Sequence, residues 1–200
     1  MDGAVTLPVR PARLDDLDGL LAIEGVFPTD QLDRRAFRHA VASPTIDLLV
    51  AGGTAGPIGY AMVQRRKNAT VGHLTSIAVQ PGAAGRGLGK RLLEAAEAAA
   101  RRHGCTRLRL EVRPDNKAAQ TLYEKAGYRR IATLADYYED GTAAWRYEKR
   151  LSPEEEGGAA SLKDADRRAA PGGPRGRAPP RCAAPRSISP SARSGRRSRP

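Results

Sequence analysis

The densest run of chemistry-bearing residues lies between Thr75 and Leu93. A strand pattern, Ser76-Ile77-Ala78-Val79, gives way to Gln80-Pro81-Gly82-Ala83-Ala84-Gly85-Arg86-Gly87-Leu88-Gly89-Lys90, and a helix begins there with Arg86, Lys90 and Arg91 around the turn. Such a turn leaves backbone N–H groups free and aims them, with the helix dipole, at an anion. A diphosphate is the natural guest, and a plain tight turn is the simpler alternative. A Walker loop is excluded, because Gly89-Lys90 is followed by Arg91 rather than Ser or Thr. A dinucleotide fingerprint fails too. Gly85-x-Gly87-x-Gly89 is not its glycine spacing, and the strand carrying Glu111, an acid at about the right distance, does not end there.

Glu111 sits in an alternating stretch, with Leu108, Leu110 and Val112 turned to a core and Arg109, Glu111 and Arg113 turned away. A carboxylate there is a candidate base, although at a pKa of about 4.3 it needs burial or a relaying water. A surface glutamate pairing with Arg109 or Arg113 is the alternative. Tyr123 shares a helical face with Leu122 and Ala126 and so also reads as a core aromatic. Asn116 suits a helix N-cap, and Tyr137-Tyr138 suits a strand by propensity alone. His39, His73 and His103 lack metal-ligand spacing, so no metal is expected. Cys105 reads as a small buried apolar residue, and Trp145 as core.

These residues need elements to place them. Six or seven strand signals alternate with four helical ones, an α/β (α+β) pattern. Leu7 to Arg10 opens, Asp15, Asp16 and Asp18 crowd a helix start, and a second helix carries Phe37 and Ala40 opposite Arg34, Arg35 and Arg38. Ile46–Ala51 and Ile58–Arg66 form a hairpin around Gly52 to Gly56, and His73–Val79 runs into the glycine turn. The helix after it has a stripe of Leu88, Leu92, Leu93, Ala96 and Ala100, pairs Lys90–Glu94 and Glu97–Arg101, and a cap at Gly104. Arg107–Val112, a short helix over Asn116–Ala126, Arg129–Leu134 and Trp145–Leu151 complete the pattern.

The glycine turn resembles the acetyl-CoA loop of the GCN5-related N-acetyltransferases (the GNAT superfamily), Gln/Arg-x-x-Gly-x-Gly/Ala. Gly87 and Gly89 match, and Ala84 departs at the first position, with Arg86 able to supply a basic side chain. Leu110-Glu111-Val112-Arg113, Asn116 and Leu122-Tyr123-Glu124-Lys125-Ala126-Gly127-Tyr128 extend the likeness, and with Tyr137-Tyr138 it is greatest to the ribosomal-protein-alanine N-acetyltransferase (RimI-type) branch. That branch often has an acid where Thr142-Ala143 follows Gly141 here.

The resemblance implies a central, mixed, mostly antiparallel sheet flanked by about four helices, and acetyl-CoA as co-substrate. It implies that the backbone of Gly85, Arg86, Gly87, Leu88, Gly89 and Lys90 holds the diphosphate. Ile77, Ala78 and Val79 would pair with the pantetheine arm like an added strand, and Asn116 would hydrogen-bond the cofactor. Glu111 would be the base, Tyr123 the acid that protonates the thiolate, and Tyr137 and Tyr138 the clasp on a peptide backbone.

Composition bounds the rest. The chain has 200 residues and a net charge of +12. Residues 1–151 read as one domain, which the resemblance makes an N-acetyltransferase domain. Residues 152–200, rich in Arg, Pro and Ala, read as a disordered basic tail that cannot bury enough apolar surface to order itself. No eighteen-residue apolar run or export signal occurs, and Cys105 and Cys182 lie in dissimilar surroundings, which points to a cytoplasmic protein without a disulfide framework. The resemblance implies as acceptor a protein or peptide N-terminus, a ribosomal protein among the candidates. An α-amine is roughly a tenth neutral at pH 7, against about 0.04% for a lysine. The rival readings are a small-molecule amine acetyltransferase and a ribosome- or RNA-associated protein whose tail contacts RNA without sequence preference.

Overall fold

The computed structural model describes residues 7–27, 31–53 and 55–151. The tail, with Cys182, lies outside the described residues. Seven strands and four α-helices occur among the described residues: β1 (Val9–Pro11), α1 (Leu17–Glu24), α2 (Arg34–Ala42), β2 (Ile46–Gly53), β3 (Gly56–Gln64), β4 (Val71–Val79), α3 (Leu88–Arg102), β5 (Arg107–Val112), α4 (Lys117–Lys125), β6 (Arg129–Leu134) and β7 (Ala144–Arg150). One sheet has the order β1-β2-β3-β4-β5-β7-β6. Every pairing is antiparallel except β4 with β5. The parallel pair requires a crossover, and α3 makes it. No helix among the described residues is long and apolar enough to cross a membrane.

Strand alternation builds two cores. Leu49, Ala51, Ala61 and Val63 face α3, joined by Leu88, Leu92, Leu93, Ala96, Ala100, Leu108, Leu110 and Val112, with Ala119 and Tyr123 from α4. Leu48, Val50 and Tyr60 face the other way, onto Leu17, Leu20 and Ile23 of α1 and Phe37 and Ala40 of α2. The expected stripe of α3 is buried throughout, and the expected basic face of α2, Arg34, Arg35 and Arg38, is exposed. Both expected α3 ion pairs form, but Glu97 is also buried and accepts from Lys149 Nζ at 2.7 and 2.9 Å. Gly104 has φ +79° and ends α3 with N–H donation to Arg101 O at 2.8 Å. Trp145 departs from expectation. It is half-buried against the α3-side core, under the Arg130 guanidinium at 3.9 Å and near Lys117 Nζ at 5.1 Å.

Candidate active site

The site begins where two strands part. β4 and β5 pair over only three rungs, Val71↔Arg107, Gly72↔Leu108 and His73↔Arg109. Beyond them β4 keeps its register with β3 to Gly59↔Val79, while β5 keeps its register with β7 to Val112↔Trp145. The two edges facing each other across this fork have no strand between them. A bulge in β4 lies just beyond the last shared rung. Met62 pairs with Ser76 and Val63 with Leu74, leaving Thr75 as the extra residue, its hydroxyl donating to Met62 O at 3.2 Å. The extra residue resets the alternation. Leu74 and Ile77, three positions apart, both face α3, and Ala78 joins the α1-side core. Ile77, Ala78 and Val79 thus form one bank of the fork.

The glycine turn stands at the end of that bank. Gly85 and Gly87 have φ of +77° and +76°, and a Cβ added at Gly82, Gly85 or Gly87 would meet nothing within 4 Å. Gly87 is the N-cap of α3, without a side-chain cap and without an acid in the first turn. The first-turn N–H groups therefore keep their capacity for an outside acceptor. Arg86 and Lys90 are exposed, and Leu88 and Gly89 are buried on the core side. Arg91 is engaged elsewhere, donating from Nη2 to Leu7 O at 2.6 Å. Beside the turn, Leu7, Ile58, Ala83, Arg86, Leu88 and Arg91 line a cavity of about 120 Å³.

Across the fork, Asn116 caps α4, its Oδ1 accepting from Ala119 N at 3.1 Å. Gln120 braces the same connection by donating to Arg113 O and Pro114 O at 3.0 and 2.9 Å. Glu111, 6% exposed, faces away from the α3-side core that holds Leu110 and Val112. Its partner is neither Arg109 nor Arg113. Arg146, directly opposite on β7, donates from Nε at 2.6 Å, while Arg109 pairs with Glu148 and Arg113 with Asp140.

Tyr123 is fully buried, its ring packed near Tyr128 and Tyr147 at centroid distances of 5.9 and 6.4 Å. Its hydroxyl has no hydrogen-bond partner among the described residues, and burial, with Tyr138 beside it, pushes its pKa far above the usual phenol value. An unsatisfied buried hydroxyl costs about 1–3 kcal/mol, which a ligand atom could relieve. Tyr137 and Tyr138 lie in the β6–β7 loop, both N–H groups donating to Thr142 O. Tyr138 is buried beneath the Arg113 guanidinium at 3.9 Å. The same guanidinium, bonded to Asp140 at 2.8 Å, holds that carboxyl at about 2. The end of β5 is thereby clamped to the tyrosine loop.

Ile77–Val79 thus border the parted strands and run toward the glycine turn, Glu111 lies on the face of β5 away from the α3-side core, and Tyr123 is buried in that core with Tyr138 adjoining it. Sequence reading missed the Thr75 bulge, the Arg146 partner, the Arg113 clamp and His73, which shares the Glu111 face. The one available signal was charge: Arg109 and Glu111 on β5 are answered by Glu148 and Arg146 on β7.

The Acetyltransferase (GNAT) family matches residues 15–128. A Bacillus subtilis protein provisionally named a ribosomal protein bS18-alanine N-acetyltransferase is 32% identical over 136 residues, 66% of this chain and 87% of that protein. The NAA10 catalytic subunit of the N-terminal acetyltransferase A complex of Arabidopsis thaliana is 32% identical over 148 residues, covering 72% and 77%. The crystal structure of the ribosomal-protein-S18-alanine N-acetyltransferase of Escherichia coli superposes with a TM-score of 0.64 at 24% identity, covering 76% of this chain and 99% of that one.

Proposed function

The chain belongs to the GNAT acetyltransferase family, and from that membership we propose that it transfers an acetyl group from acetyl-CoA to the α-amine of a protein N-terminus. It is an N-acetyltransferase, and the proposal concerns its acceptor and its working residues. The observation that supports the reading is the fork itself, an unpaired strand edge leading to an open glycine turn; the buried, unpartnered hydroxyl of Tyr123 is a second support.

Bound acetyl-CoA supplies a thioester carbonyl and a thiol leaving group. The chain's part is to hold, orient and move protons. The backbone of Gly85, Arg86, Gly87, Leu88, Gly89 and Lys90 cradles the diphosphate, where donors and helix dipole converge without a side chain in the way. Ile77, Ala78 and Val79 lend an unpaired strand edge to the pantetheine arm, and Asn116 contacts it from the start of α4. Tyr123, held protonated by burial, supplies a proton to sulfur. Glu111 takes the proton of the amine, and Tyr137 and Tyr138 flank the acceptor peptide. An α-amine suits a carboxylate base that is already ion-paired with Arg146, because roughly a tenth of it is neutral at pH 7 without help.

Tandem mass spectrometry of products tests the acceptor. Peptides with free N-termini and an internal lysine, their N-blocked counterparts, and small free amines are offered with acetyl-CoA. Acetyl on the α-nitrogen of the unblocked peptides is expected. Acetyl only on lysine, or only on the small amines, would overturn the reading.

A further inference from the structure

His73 occupies the last rung before the fork, opposite Arg109 on β5 and Gln64 on β3. Its neighbours face α3: Leu74 lies in that core, and Gly72 sits against Leu108, Cys105 and Ala100. The imidazole is therefore on the other face, with Arg109 and Glu111. It is half-buried and has no hydrogen-bond partner among the described residues. The charged groups acting on it are Glu111 and Arg109 from β5, Arg146 from β7 and Arg66 after β3. Glu148, on the same face, is engaged with Arg109.

One oxygen of the Glu111 carboxylate is already engaged, accepting from Arg146 Nε at 2.6 Å. A second acceptor within its field would let the proton leave. We propose that His73 is that acceptor, a relay residue that receives the amine's proton from Glu111 and hands it to solvent. The proposal rests on the assignment of Glu111 as base. Burial, the largest influence, and the guanidiniums of Arg146, Arg109 and Arg66 push the imidazole below its ordinary value, while Glu111 pulls it up. The ring is thus neutral near pH 7, with a lone pair available.

The protons balance. The ammonium N–H bond breaks, its electrons stay on nitrogen, and the proton passes through the carboxylate to the imidazole and then to water. As the N–C bond forms the C–S bond breaks with its electrons on sulfur, sulfur takes the Tyr123 proton, and the second proton lost from nitrogen restores the Tyr123 hydroxyl. One proton is released per turnover, and it is the one His73 carries.

Two measurements on the full chain decide the matter. The first is an NMR titration of histidine-labelled protein, which holds only His39, His73 and His103, in wild type and in Glu111→Gln. Loss of the carboxylate should lower the His73 pKa further, and an unchanged value would overturn the pairing. The second is the pH profile of kcat/KM on an N-terminal peptide. His73→Gln should lower the rate at pH 7 on the order of tenfold, with the deficit narrowing at high pH, and free imidazole should restore His73→Ala. A deficit equal at every pH and unmoved by imidazole would make His73 structural and overturn the relay. A normal rate in Glu111→Gln beside a slow His73→Gln would remove Glu111 as first acceptor, and the relay with it. If the wild-type chain acetylates no peptide, the acceptor reading fails on its own, and the titration still decides whether the two side chains are coupled.

Discussion

Tyr123 packs its ring in the core and leaves its hydroxyl unsatisfied, and the proposed function gives that hydroxyl a catalytic role. The ring sits among Tyr128 and Tyr147 and fixes the α4 face, while the oxygen has no partner. Removing that oxygen should therefore separate packing from chemistry. Tyr123→Phe is expected to lower kcat on the order of a hundredfold. Its Tm should hold or rise slightly, because a buried unsatisfied hydroxyl is lost. Turnover at the wild-type rate would return Tyr123 to the core alone. Glu111 gives a complementary prediction through pH. The amine is increasingly neutral as pH passes about 8, so the rate deficit of Glu111→Gln should shrink between about pH 6.5 and 9.5. A constant deficit over that range would mark the glutamate as a partner of Arg146 and nothing more.

At the scale of elements, what was legible was what is local. The apolar stripe of α3, the alternation of β5 and the glycines ending α3 and α4 are written in neighbouring residues, and all were read correctly. The fork has no local signature: it is accompanied by a bulge at Thr75, and threonine is an ordinary strand residue, so only the family resemblance pointed to a free edge at Ile77–Val79. Arg146 was missed because its meeting with Glu111 depends on the β5–β7 register, which joins segments 35 residues apart. Arg113 was read as a possible partner of Glu111, but the β6–β7 loop, folded back by bonds to Thr142, brings Asp140 to it instead. The glycine turn offers a prediction of its own. Gly87 is left-handed at φ +76°, so any side chain costs roughly 1–2 kcal/mol, too little to unfold a domain with two packed cores. Gly87→Glu should keep the fold by circular dichroism and lose acetyl-CoA binding by calorimetry, because it puts a negative charge where the diphosphate belongs. Unchanged affinity would take the turn out of the site.

Across the whole molecule, the strand order places a single parallel junction inside an otherwise antiparallel sheet, and α3 covers one face of that junction. The connection that builds α3 also sets its N-terminus after the end of β4, so the glycine turn and the open strand edge arise from one topological step. The opposite face carries Glu111, His73 and Arg146, and under the proposed function it is the acceptor side. If acetyl-CoA occupies the fork, its footprint on the backbone is specified in advance. Hydrogen–deuterium exchange of the full chain, with and without acetyl-CoA, reads that footprint directly. The expected result is slowed exchange at Ile77–Val79 and at Gly85–Lys90, with β1, β2 and α2 unchanged. Slowing confined to other segments, or none at either of these at saturating acetyl-CoA, would contradict the account.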